Sequence, residues 1–137
     1  MLYLLAAASD KASAQFHVKV RERGLRVPEW RVLAILVGRD GAMITRLADF
    51  ALIEQSRLTR IIDQMDMRGL VRRKSDANDR RRVRVFLTAK GRRLALSLVA
   101  DAKLHEQNLL ASLGGVNAEQ LKPLLTLLLQ KLEAEDE

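Results

Sequence analysis

Leu58, Ile61, Ile62 and Met65 recur at i, i+3, i+4 and i+7, and this spacing constrains what the chain can become more than any other feature. It stacks four apolar side chains on one face of a helix over about two turns. That face must be buried. The opposite face carries Ser56, Thr59, Arg60 and Asp63, with Gln55, Arg57 and Gln64 on its flanks. Amides, hydroxyls and guanidinium groups on an exposed helix face are what reading base edges in a major groove requires. A merely solvated face stays open for this helix taken alone, so its surroundings must decide.

Ile44 to Phe50 reads as a short helix just before it, with Leu47 and Ala48 turned inward, and residues 54 to about 68 as the helix itself. Leu52 stands in the corner between them, which is therefore expected to turn without a positive φ. The pattern gives no account of Phe50. Gly69 ends the second helix, and Leu70 to Lys74 and Val83 to Leu87 follow as strands, the latter with Val83, Val85 and Leu87 alternating with Arg84 and Phe86. Between them lies a tip holding Asp76, Asn78, Asp79, Arg80, Arg81 and Arg82, too polar to be buried. Helix, helix and basic hairpin together make a winged helix-turn-helix.

The charge supports this. Residues 1 to 53 hold eight Lys/Arg against five Asp/Glu, residues 54 to 93 thirteen against five, and residues 94 to 137 three against seven, in a chain of net charge +7. The middle segment alone is +8. A compact basic region beside an acidic one is the footprint of a polyanion binder, because phosphate neutralisation releases counterions. An anionic membrane would instead want that charge on an amphipathic helix, and here much of it lies on a hairpin.

The flanking segments read as helices. The first covers residues 2 to about 22 and ends at Gly24; its leucines and alanines exceed what one surface helix needs. A second begins near Pro28, with Trp30, Leu33, Ala34 and Val37 as its inward stripe. Thr88 caps a long helix to about Leu113, broken by Gly114 and Gly115. Asn117 and Gln120 then form a capping-box pattern, with which Pro123 conflicts. Leucines at 121, 124, 125, 127, 128, 129 and 132 spread over several faces of the last helix, and the simplest cover is a second copy of the chain.

The expected fold is thus mainly α with a small β-hairpin wing: one domain over residues 1–137, its winged helix-turn-helix at 28–93, a long linking helix at 88–113 and dimerisation helices at 1–23 and 114–137. With no cysteine there is no disulfide, thiolate metal site or thiol switch, and His17 and His105 lack any ligand pattern, so no metal or other cofactor is expected. The apolar start is too short to span a bilayer and lacks a basic lead, so a cytoplasmic protein without membrane partners is the default. No glycine-rich phosphate loop, Ser-His-Asp set or metal cluster is visible, Asp63 and Asp66 read as ordinary solvated charges, and an enzyme is not expected.

Over nearly its whole length the sequence resembles the MarR family of bacterial transcriptional regulators. The matching residues are Leu47, Ala48, Ser56, Thr59, Arg60, Ile61 and Ile62 in the helix pair, Gly69, Leu70 and Val71 leading into the wing, and Asp76, Asp79, Arg81, Leu87, Thr88 and Gly91 in and after it. Asn78 departs from the pattern, replacing the first arginine of the wing, and Leu52 stands where glycine is frequent.

The resemblance implies a homodimeric repressor, or less often an activator, on a pseudo-palindromic operator in double-stranded DNA. Recognition helices would enter successive major grooves about 10 bp apart. Gln55, Ser56, Arg57, Thr59 and Arg60 are the candidate contacts there, with Asn78, Arg80, Arg81 and Arg82 on the wing. Arg81 suits insertion into a narrow minor groove, and Asp79 suits a brace holding its guanidinium, since phosphates repel a carboxylate. Many relatives release DNA on binding a small aromatic or phenolic anion between the dimerisation helices and the winged domain, where Phe16, His17, Arg21, Trp30 and Arg31 would either line a pocket or serve as ordinary core and surface residues. The absent cysteine argues against the thiol-based peroxide-sensing branch. A non-specific architectural DNA binder or a protein-interaction winged helix is the alternative.

Overall fold

The computed structural model describes residues 1–136. Its elements are α1 (Leu2–Glu22), α2 (Val27–Gly38), β1 (Ala42–Met43), α3 (Ile44–Ala51), α4 (Gln55–Met67), β2 (Val71–Ser75), β3 (Val83–Leu87), α5 (Ala89–Leu113) and α6 (Gly115–Glu135). Two compact units divide the chain, Met1–Asp101 and the segment from Ala102 onward, with the boundary inside α5.

In the first unit the core gathers around α4. Leu58, Ile62 and Met65 are fully buried and Ile61 nearly so; α4 packs on α3 and α2, in which Leu47, Ala48, Ala51, Leu33 and Leu36 are buried too. Each such side chain contributes about 1.5–3 kcal/mol on burial. The stripe expected on α2 is corrected: Glu29, Trp30, Val32, Leu33 and Leu36 are buried, while Ala34 and Val37 are only half-buried. The helix packs against α1, α3, α4 and β3, so more than one of its faces is covered.

Glu29 is the buried charge of this unit, 1 % exposed. Its Oε1 accepts the Arg26 backbone N–H at 2.8 Å, and its Oε2 accepts from Arg68 Nη1 at 3.1 Å. Arg68 also donates to the Gly24 carbonyl, so the end of α4 is tied to the corner between α1 and α2. Both carboxylate oxygens are thereby paired, as a charge at this depth requires.

The hairpin pairs Val71 with Leu87 through Ser75 with Val83. A third strand was not expected: β1 adds to the other edge of β3, Ala42 opposite Val85 and Met43 opposite Arg84, giving the order β1-β3-β2. Two residues carry too little alternation to announce a strand.

The corner between α3 and α4 also differs from expectation. Leu52 adopts φ 58° and ψ 43°, so a side chain takes the left-handed turn that glycine makes without strain. It projects into solvent, 86 % exposed.

Thr88 caps α5 as expected, its hydroxyl accepting the Gly91 N–H at 3.0 Å and donating to the Gly69 carbonyl at 2.6 Å. Gly91 is where α5 meets the wing. A Cβ built there would lie 1.9 Å from the Leu70 carbonyl oxygen.

In the second unit, α5 and α6 enclose an apolar hollow of about 330 Å³ lined by Leu109, Leu110, Leu121, Leu125 and Leu129, with Lys122 Nζ 3.5 Å from Glu106 Oε1. The capping box expected at Asn117 and Gln120 does not form. Gly114 and Gly115, both at positive φ, reverse the backbone and start α6 at once, which puts Asn117 in its first turn. Pro123 lies inside α6 and does not delay its start. Its ring nitrogen has no hydrogen for the Glu119 carbonyl. No residue of α6 is buried in the single chain.

Candidate nucleic-acid interface

The four buried side chains of α4 fix the helix's rotation, and its other face points away from the core. Gln55, Ser56, Arg57 and Arg60 are exposed there and Thr59 is half-buried. Two hydroxyl protons are already committed: Thr59 Oγ1 donates to the Gln55 carbonyl at 3.0 Å and Ser56 Oγ to Glu54 Oε1 at 2.9 Å. Both oxygens keep lone pairs for accepting. Among the described residues, the Gln55 amide and the guanidinium groups of Arg57 and Arg60 form no hydrogen bond or ion pair and remain free to donate.

Beside α4 runs a groove of about 490 Å³ whose walls come from three places in the sequence. Gln55 and Thr59 line it from α4, Thr45 from α3, and Arg81, Arg82 and Val83 from the wing. Of the residues expected to meet DNA, the structure brings Gln55, Thr59, Arg81 and Arg82 onto one concave, basic surface, while Ser56, Arg57 and Arg60 lie on α4 outside its lining. Asn78 and Arg80 stand exposed at the wing tip outside that lining.

Asp79 braces the tip by a different route from the one expected. Its Oδ1 accepts the Arg81 backbone N–H at 3.0 Å and its Oδ2 lies 3.6 Å from Arg82 Nε, so that among the described residues no carboxylate pairs with the Arg81 guanidinium. Asp76 accepts from Arg84 Nε at 2.9 Å, and Arg84 also donates to the Gly41 carbonyl. The bond from Arg84 holds the Asp76 carboxyl below the usual carboxylate range.

Arg73, on β2, is a groove residue that no motif or spacing singles out. Its Nη1 stands 2.6 Å from Asp63 Oδ1 and its Nε 3.7 Å from Asp66 Oδ2. Asp63 and Asp66 are therefore counter-charges for the wing and not the ordinary solvated pair expected. Asp63 Oδ1 is shut off from solvent without an aligned hydrogen bond, so the Arg73 charge is what compensates it.

Of the residues expected at a ligand pocket, Phe16 and Trp30 pack on each other, ring centroids 5.3 Å apart and planes at 58°. His17 is half-buried, while Arg21 and Arg31 are exposed. Burial, then the nearby charges of Arg31 and Arg21, pull the His17 imidazole below its ordinary pKa, with Asp10 opposing.

The sequence model of the MarR family matches residues 25–83, from the corner before α2 to the start of β3. The transcriptional regulator HosA of Escherichia coli O127:H6 is 32% identical over 97 residues, 70% of this chain and 69% of that protein. The crystal structure of a MarR family transcriptional regulator from Silicibacter pomeroyi DSS-3 is 59% identical, with a TM-score of 0.87 over 96% of this chain and 94% of that one. The chain belongs to the MarR family. Members of this family are transcriptional regulators and not enzymes, and their DNA-binding winged helix is the fold described above. A further similar structure is that of NadR in complex with 4-hydroxyphenylacetate, 27% identical, TM-score 0.77, covering 96% of this chain and 87% of that one. Among the described residues no helix is long and apolar enough to cross a membrane.

Proposed function

We propose that this MarR family member is a sequence-specific repressor that binds a pseudo-palindromic operator as a homodimer. The observation that carries the reading is the basic groove in which Gln55 and Thr59 of α4 face Arg81 and Arg82 of the wing. A helix that offers amide and guanidinium donors suits a major groove, and an arginine with no carboxylate on its guanidinium suits the adjoining minor groove. Arg57, Arg60 and Ser56 extend the first set, and Asn78 and Arg80 the second.

The dimer is supported by the apolar surface at both ends of the chain. Leu2 and Leu4 of α1 are 76 % and 67 % exposed, and Leu124, Leu127 and Leu129 of α6 each stand at least half exposed. Patches of this kind are rare on a monomer and are covered by a two-fold partner.

Release by a small aromatic or phenolic anion is supported by the NadR complex and by the chemistry near Trp30. Aromatic rings at Phe16 and Trp30, cations at Arg21 and Arg31, and the neutral-leaning imidazole of His17 suit a carboxylate attached to a ring.

The test is selection of bound fragments from the source genome, then anisotropy titration of the selected and a scrambled duplex. A palindromic fragment bound at least about 10³-fold more tightly than the scramble is expected. Equal, steeply salt-dependent binding to both would replace this reading with that of an architectural DNA binder.

A further inference from the structure

Phe50 is an exposed aromatic on the outer face of α3, 41 % accessible, where a polar residue would be the ordinary choice. The guanidinium carbon of Arg39 lies 4.1 Å from its ring centroid and that of Arg46 5.7 Å. We propose that Arg39 and Arg46, held side by side on the Phe50 ring, form a docking patch for the phosphate backbone of DNA beside the reading groove.

The charge of this patch is uncompensated. Asp40, next to Arg39 in the chain, is consumed: Oδ1 accepts the Leu87 N–H at 2.8 Å and Oδ2 pairs with Arg92 at 2.9 Å. Arg84 is likewise held by Asp76 and the Gly41 carbonyl. Asp49, beside Phe50 on α3, is exposed, and among the described residues neither it nor any other carboxylate forms an ion pair with Arg39 or Arg46. A guanidinium laid on an aromatic face keeps its N–H edges outward and its plane set in advance, which suits a phosphate.

The patch is also continuous with the groove. It rims an open hollow of about 270 Å³ that shares Met43 with the groove between α4 and the wing. In a helix-turn-helix, the helix before the recognition helix is the one that crosses the backbone. This inference rests on the DNA-binding reading above but not on sequence specificity.

The test compares the full chain with its Arg39→Gln/Arg46→Gln double variant on the selected operator and on a scrambled duplex, at 50 and 200 mM salt, after equal melting temperatures are verified. Losing two phosphate contacts should flatten the slope of log affinity against log salt by about 1.8, so that wild type loses about 12-fold more affinity over that range than the variant. Both duplexes should show it, with the operator-to-scramble ratio unchanged. Phe50→Leu, which keeps both charges, should fall between the two proteins. A wild-type slope for the double variant overturns the patch and turns it over to a protein partner or to solvent. A loss confined to the operator overturns it in favour of base reading. If wild type itself fails to prefer the operator, specificity falls, while a flattened slope on the scramble still upholds the patch.

Discussion

Replacing Gly91 by alanine sets two physical effects against each other at one position. Gly91 lies in the first turn of α5, where helix propensity alone favours alanine by about 1 kcal/mol. Packing opposes it. The added Cβ would stand 1.9 Å from the Leu70 carbonyl oxygen and 2.9 Å from the carbonyl carbon, both backbone atoms. An ordinary carbon–oxygen contact needs about 3.3 Å, so α5 must retreat from the wing by roughly 1.4 Å or the wing must yield. Either movement stretches the Thr88 hydroxyl bonds to Gly69 and Leu70. Overpacking of this kind costs about 1–3 kcal/mol, and each of the two strained hydrogen bonds about 1 more, so Gly91→Ala should be destabilising by about 2–4 kcal/mol after the propensity gain. Urea denaturation should show a lower midpoint with an unchanged m-value. A midpoint equal to or above that of wild type would refute the reasoning, because it would mean that the helix sits on the wing with room to spare.

The opposite sign is expected in the α3–α4 corner: Leu52→Gly should stabilise by about 0.5–1 kcal/mol, because left-handed strain is relieved at a solvent-facing side chain, while Leu52→Ala should gain nothing. Arg60→Ala should weaken operator binding by about 1–3 kcal/mol and relax the preference at one base pair; equal losses on all duplexes would reassign Arg60 to phosphate. His17 has a folded pKa below its unfolded value of 6.5, so its contribution to stability is full above that value and is lost as pH falls through the folded pKa. Replacing His17 by Asn should therefore flatten the fall in melting temperature below pH 6.5, and an unchanged pH profile would show that another group governs it.

Where a single element carries its own periodicity, the sequence was legible. Leu58, Ile61, Ile62 and Met65 form the buried stripe of α4, and Thr88 caps α5. Where neighbours decide, it was not. Ala42 and Met43 become a strand only because β3 offers a free edge, and Leu52 turns left-handed because the packing of α3 on α4 demands it. The glycine pair at 114 and 115 overrode the capping signal at Asn117. The basic face of α4 and the charged wing tip could be read as patches of composition, but Thr45 and Arg73 joined the groove through tertiary proximity. Phe50 had a signal in its spacing, four residues after Arg46, which sets ring and guanidinium one helical turn apart.

Arg73 has a consequence for how such a molecule can be controlled. By holding Asp63 and Asp66 it fastens a strand of the wing to the middle of α4, and the angle between the two is settled when the chain folds. The entropy of fixing that angle is then lost before any duplex arrives, which leaves less to lose at encounter. An ion pair that bridges strand and helix opposes changes in the angle between them. In the proposed dimer, the coarse variable left to a regulatory signal is the span between two such heads, set against the pitch of the double helix.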